Sequence, residues 1–133
     1  MSAEDQEVQI RVMLVDDHAD FRRLMTAMVA RQPDLEVVAQ AGSLAEARNH
    51  AAAVKYDVVV LDLGLPDGNG VDLIEDVREF NAGAAVLILS ASLHPTNLGR
   101  AREAGADEIL DKLATPGEIV ATIRRLGTGK APA

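Results

Sequence analysis

The sequence predicts an α/β fold in which a parallel sheet is covered on both faces by helices. Two observations carry that expectation. Five short apolar runs, "IRVMLV" and "DVVVLD" among them, lack the alternation of a half-exposed strand, and such continuous runs belong to strands buried on both faces. Between the runs lie segments with apolar residues at helical spacing, the βαβ alternation that builds a parallel sheet. Crossovers in such a sheet are right-handed, and ligand sites lie beyond the C-terminal ends of its strands.

Each element follows in order. "IRVMLV" (10–15) is the first strand, and Phe21, Leu24, Met25, Met28 and Val29 form the stripe of an amphipathic helix. "LEVVAQA" (35–41) is the second strand, entered after Pro33. "SLAE" then reads as a capping box, with Ser43 capping and Glu46 reaching back, that opens a helix to about Val54. "DVVVLD" (57–62) is the third strand, and Leu73, Val77 and Phe80 line one face of the next helix. "AAVLILS" (84–90) is the fourth strand. "HPTNLGRAREAG" is a short helix with Pro95 near its first turn and Gly105 after its end. "DEIL" (107–110) is a brief fifth strand, and "TPGE" (115–118) repeats the capping logic before Ile119, Val120, Ile123 and Leu126. The expected boundaries are an extended or disordered N-terminus over 1–9, one domain over 10–126, and a flexible tail or linker, "GTGKAPA", over 127–133.

Composition narrows the function classes. At 133 residues and 48% hydrophobic content, one domain with an aliphatic core is expected, since Phe21, Phe80 and Tyr56 are the sole aromatics. The absence of Cys excludes disulfides, thiolate metal sites and a Cys nucleophile. The start "MSAEDQE" has the wrong chemistry for a signal peptide, and no apolar run is long enough to cross a bilayer. A soluble cytoplasmic protein without membrane contact is therefore expected. A net charge of −8 repels phosphate backbones, so no direct nucleic-acid binding is expected of this chain.

The chemistry gathers at the strand ends. The first strand ends in Asp16-Asp17, the third in Asp62 and the fourth in Ser90, while the fifth leads into Lys112. Singly, each has a plain reading: an acidic pair suits a helix N-terminus, Asp62 meets water, Ser90 turns the chain, and Lys112 is solvated. Together, on neighbouring strands, they converge on one rim. Three clustered carboxylates repel unless a cation joins them, and a hard ion such as Mg²⁺ prefers oxygen ligands. The hydroxyl and the ammonium form a second half-site suited to phosphoryl oxygens. His18, His50 and His94 form no close motif and read as surface or cap residues, and the "RR" pairs at 22–23 and 124–125 read as solvated helix faces. "GLPDGNG" lacks GxxxxGK[ST] and reads as a strand-to-helix turn.

"IRVMLVDDH", "DVVVLDLGLPDGNG", "AVLILSAS" and "AGADEILDKLATPGE" resemble the receiver domain of bacterial two-component response regulators, in particular the branch with a LuxR-type helix-turn-helix output domain. The resemblance spans residues 10 to about 126. It implies a flavodoxin-like, doubly wound (βα)5 fold with strand order 2-1-3-4-5. It implies that Asp62 is the phosphoacceptor, and that Mg²⁺ is held by Asp16, Asp17, Asp62 and the Gly64 backbone carbonyl, Asp17 directly and Asp16 largely through water. Ser90 would be the switch hydroxyl, and Lys112 would pair with the acceptor or its phosphate. The implied partner is a sensor histidine kinase or a phosphotransfer protein, with a homodimer a further expectation. The domain would catalyse only its own phosphorylation and dephosphorylation.

Two positions depart from the family pattern. Leu113 replaces the proline that usually follows the lysine, so the Lys112–Leu113 peptide is expected to be trans. Ile109 stands at the aromatic switch position. No helix-turn-helix follows residue 126, so a stand-alone receiver or a piece ending in a linker is expected. A receiver-like docking or dimerisation module acting without phosphorylation is the alternative, and the intact polar set argues against it. A Mg²⁺-dependent phosphohydrolase lacks both a general acid two residues after Asp62 and a cap segment, and a flavin site lacks its phosphate loop.

Overall fold

A computed structural model describes residues 9–91 and 95–129. The expected N-terminal segment up to residue 8, the loop 92–94 with His94, and tail residues 130–133 lie outside the described residues. Five strands, β1 (Ile10–Val15), β2 (Leu35–Ala41), β3 (Val58–Leu61), β4 (Ala85–Ser90) and β5 (Glu108–Asp111), form one parallel sheet in the order β2-β1-β3-β4-β5. The helices are α1 (Ala19–Ala30), α2 (Leu44–Ala53), α3 (Val71–Phe80), α4 (Pro95–Ala104) and α5 (Pro116–Gly129). This is the doubly wound arrangement expected, with the order of winding reversing between β1 and β3.

The continuous apolar runs divide by alternation. Met13, Val15, Val59, Leu61, Val86 and Ile88 face a core completed by α2, α3 and Ala101 of α4. Val12, Leu14, Val58, Val60, Leu87 and Leu89 face the other core, closed by Met25 and Val29 of α1 and by Ile119, Val120 and Ile123 of α5. A strand with apolar residues on both faces is stable only between two such layers.

Caps decide where the helices start. Ser43 Oγ accepts from Glu46 N at 3.1 Å, but Glu46 Oε1 reaches one residue further back than expected, to the N–H of Gly42 at 3.0 Å. Thr115 and Glu118 form the reciprocal box, with Glu118 N donating to Thr115 Oγ1 at 3.1 Å and Thr115 N to Glu118 Oε1 at 3.3 Å. Pro116 opens α5, and Gly105 follows α4 at φ +111°, a left-handed conformation that favours glycine.

Several element details differ from expectation. Helix α5 runs through Gly129, three residues into the expected tail, because Gly127 lies flat against Ile10. Strand β5 spans 108–111 rather than 107–110. "GLPDGNG" is more than a turn: Gly64–Leu65 and Gly68–Asn69 pair antiparallel in a small ribbon. Leu24 and Phe80, assigned to buried helix stripes, are exposed at the edges of those stripes. No cis peptide occurs among the described residues, so Lys112–Leu113 is trans.

Candidate functional site

Each polar residue of interest sits where a strand runs out of the sheet, and the hydrogen-bond ladder continues past the strand to hold it. Asp16 N donates to Ala41 O at 3.0 Å, Asp62 N to Val15 O at 2.9 Å, and Lys112 N to Ser90 O at 3.1 Å. The backbones carrying the carboxylates and the ammonium are thus fixed by the sheet, not by mobile loops. Gly70 secures the loop after Asp62, because a Cβ there would meet the Asp62 carbonyl oxygen at 2.7 Å.

The Asp62 carboxylate is buried at the centre. Its Oδ1 accepts from Ser90 Oγ and from the Gly64 N–H, each at 3.3 Å. Its Oδ2 accepts from Lys112 Nζ at 3.1 Å. Lys112 also reaches Asp16 Oδ2 at 2.8 Å, and its Nζ lies 4.7 Å from the centroid of the Phe21 ring. Burial by itself would lower the proton affinity of Lys112, but hydrogen bonds and charge from Asp16 and Asp62 outweigh it and hold the ammonium above its ordinary value. Asp17 is more open, at the solvent edge of the group.

Five predicted residues, Asp16, Asp17, Asp62, Ser90 and Lys112, therefore come together, with Gly64 beside them through its N–H. Ile109 does not join the polar cluster. It is partly buried on β5 opposite Ile88 and packs into the core beneath α2, α3 and α4.

His18 is the exposed cap residue expected but also meets the acidic group, and Arg22 departs from its reading. His18 is the N-cap of α1, yet its side chain makes no capping bond. Its Nδ1 lies 3.2 Å from Asp16 Oδ1, 3.4 Å from Asp17 Oδ1 and 3.2 Å from Lys112 Nζ. Arg22 is no solvated face residue either, since its Nη1 donates to the Asp16 carbonyl at 2.5 Å. The signal for His18 was its place directly after the acidic pair. Arg22 lies one helical turn beyond His18, facing the loop.

One ligand atom each from Asp16, Asp17, His18 and Asp62 lie within 4.8 Å of one another. Three carboxylates so close need a positive charge among them, and Lys112 Nζ supplies one. An oxygen-rich set of this spread fits a hard divalent ion such as Mg²⁺. A cleft of ≈ 490 Å³ opens over Asp62, lined by His18, Gly64, Asn69, Ser90 and Lys112, and gives room for a phosphoryl group. A larger depression of ≈ 730 Å³ lies among Arg11, Lys55, Asp57 and Phe80 at the other end of the sheet, away from these groups.

A five-stranded doubly wound sheet with acidic, hydroxyl and ammonium groups at its switch point fits the class of phosphoryl-handling regulatory domain that the sequence resemblance implies. Comparison with known proteins makes the assignment specific. The response regulator receiver domain family matches residues 12–124, and the chain belongs to that family. It is 35% identical to the DNA-binding transcriptional activator DevR/DosR of Mycobacterium tuberculosis, over 92% of this chain and 56% of that protein. It is 34% identical to protein-glutamate methylesterase/protein-glutamine glutaminase 1 of Caulobacter vibrioides, over 93% of this chain and 40% of that protein. Among solved structures, a LuxR-family two-component response regulator from Aurantimonas sp. superposes with a TM-score of 0.84 at 32% identity, covering 91% of this chain and 86% of that one. The chain spans about half the length of these two curated relatives.

Proposed function

We propose that Asp62 accepts a phosphoryl group from a sensor histidine kinase or a phosphotransfer protein, and that the resulting change controls an output. One carboxylate oxygen of Asp62 forms the new O–P bond as the donor's P–N bond breaks, and the electron pair leaves with the donor imidazole. The observation that carries this reading is the position of Asp62: buried, fixed by the sheet, and bonded to both Ser90 and Lys112 below an open cleft.

Phosphoryl transfer asks mainly for positioning and charge neutralisation. Lys112 sits where it can follow charge from the carboxylate to the phosphoryl oxygens, and the Ser90 hydroxyl can turn toward the same oxygens. Asp16 and Asp17, with Asp62 and the Gly64 carbonyl, would hold Mg²⁺, which when bound supplies charge neutralisation for the incoming phosphoryl group. Ile109 would take the switch position without a ring to turn. The proposed receiver domain spans residues 10–126, around the matched region 12–124. Among the described residues no helix is long and apolar enough to cross a membrane, and the proposed setting is the cytoplasm.

The test uses acetyl phosphate with Mg²⁺, followed by intact-mass measurement. Wild type should gain the mass of one phosphoryl group, and Asp62→Asn should gain none. An unmodified wild type, or a mutant modified to the same extent, would overturn the assignment.

A further inference from the structure

We propose that His18 supplies Nδ1 as a nitrogen ligand to the divalent cation of this site, giving it a selectivity for borderline ions such as Ni²⁺ that carboxylates alone do not confer. The inference rests on the phosphoacceptor reading above and concerns the cation half of that site.

Geometry is the first support. An octahedral ion holding its ligands at about 2.1 Å places adjacent ligands about 3.0 Å apart and opposite ones about 4.2 Å apart. His18 Nδ1 lies 3.2 Å from Asp16 Oδ1, 3.4 Å from Asp17 Oδ1 and 4.0 Å from Asp62 Oδ2. All three spacings fall in or beside that window, and with the whole set spread over 4.8 Å a small inward turn of the side chains brings the imidazole and the carboxylates onto one ion.

The second support is a positive charge already seated there. The Lys112 ammonium has three protons and no acceptor. Two carboxylate acceptors, Asp16 Oδ2 at 2.8 Å and Asp62 Oδ2 at 3.1 Å, surround it, with His18 Nδ1 at 3.2 Å beside them. Nδ1 thus stands 3.2 Å from both the ammonium and Asp16 Oδ1, at the point where a cation would replace the ammonium among these groups. The His18 side chain is not used by the helix it opens. The residue caps α1 through its backbone position, its side chain forms no capping bond, and the ring is 65% exposed. Its own backbone N–H donates to Asp16 Oδ1 at 2.8 Å, which pins the ring's base to the acidic group.

Ligand chemistry then sets the preference. Carboxylates suit Mg²⁺, whereas an imidazole favours Ni²⁺, Zn²⁺ and related ions. Because Ni²⁺ binds most sites more tightly than lighter ions, the readout is the change in its affinity between variants rather than the affinity itself.

Calorimetric titration of the untagged full chain with MgCl₂ and with NiCl₂ tests the proposal in wild type and His18→Ala. Ni²⁺ affinity should fall by about tenfold in the variant, and Mg²⁺ affinity should change by less than about twofold. Pulsed EPR of the Mn²⁺-loaded protein should show a nitrogen coupling in wild type that His18→Ala lacks. Unchanged Ni²⁺ affinity, or an equal loss for both ions, overturns the inference while leaving the Mg²⁺ site intact. A wild type that binds neither ion overturns the phosphoacceptor reading and this inference with it.

Discussion

At the scale of single residues, Lys112 is the one on which the ion-free site depends, since its ammonium lies between two buried carboxylates. Removing it leaves Asp16 and Asp62 facing each other without their shared donor. Lys112→Met should therefore destabilise the protein without added metal by about 2 kcal/mol near neutral pH. The pH dependence has a definite sign. Folding raises the lysine above its ordinary value of 10.5, so its contribution is complete below that pH and is lost as pH climbs through the raised folded value. Denaturant melts of both proteins should converge in that alkaline window; a gap that persists there would contradict the assignment. The convergence of Asp62, Asp16, Asp17, Ser90 and Lys112 was legible in the sequence because each ends or follows a strand, and a parallel sheet brings strand ends together. His18 and Arg22 were not. Their placement depends on how the loop after β1 turns into α1, and two adjacent helix positions look alike on paper until that angle is known.

At the scale of elements, the strands were legible almost residue by residue because continuous apolar runs bounded by Asp, Gly and Pro have few other readings. Helix stripes were less so. Leu24 and Phe80 keep the helical spacing but fall at the margin of the covered face, where the sheet no longer reaches. The end of α5 was hidden for a different reason: "GTG" reads as a linker by composition, yet Gly127 is a packing residue. A Cβ there would meet Ile10 Cγ2 at 2.6 Å, Cδ1 at 2.8 Å and Cγ1 at 2.9 Å. Helix propensity favours Ala over Gly by about 0.5–1 kcal/mol, whereas overpacking a buried contact costs about 1–3 kcal/mol. The clash wins at this position. Gly127→Ala should lower the melting temperature, and Gly129→Ala, with nothing within 4 Å of its Cβ position, should raise it. Thermal melts of the pair check this, and a stabilised Gly127→Ala would mean that α5 does not seat on β1 as described.

At the scale of the whole molecule, the three helices that close one core are held unequally. Helices α2 and α3 each bury three or more side chains, while Ala101 is the one fully buried side chain among those described in α4. The C-terminal end of α4 is held chiefly through Arg78 of α3, which donates to the carbonyls of Ala84 and Gly105 and pairs with Asp107 at 2.8 Å. A helix with so little buried surface opens at low free-energy cost, which makes it the element most easily biased by a change at the acceptor. The path to it is short, because Ser90, bonded to Asp62, is the last residue of β4, and the chain from there leads into α4. Ile109 sits on the neighbouring strand, stiff at χ1 and without a polar tip, so it fills space beneath α4 and has no ring to swing between solvent and core. Beryllofluoride with Mg²⁺, as a mimic of the phosphorylated state, should therefore change amide exchange more over 95–104 than in α2 or α5. Ile109→Ala should leave that response in place. Hydrogen-exchange mass spectrometry of both proteins decides the matter: an unaltered α4 in wild type, or a response that vanishes with Ile109→Ala, would mean that the signal leaves Asp62 by another route.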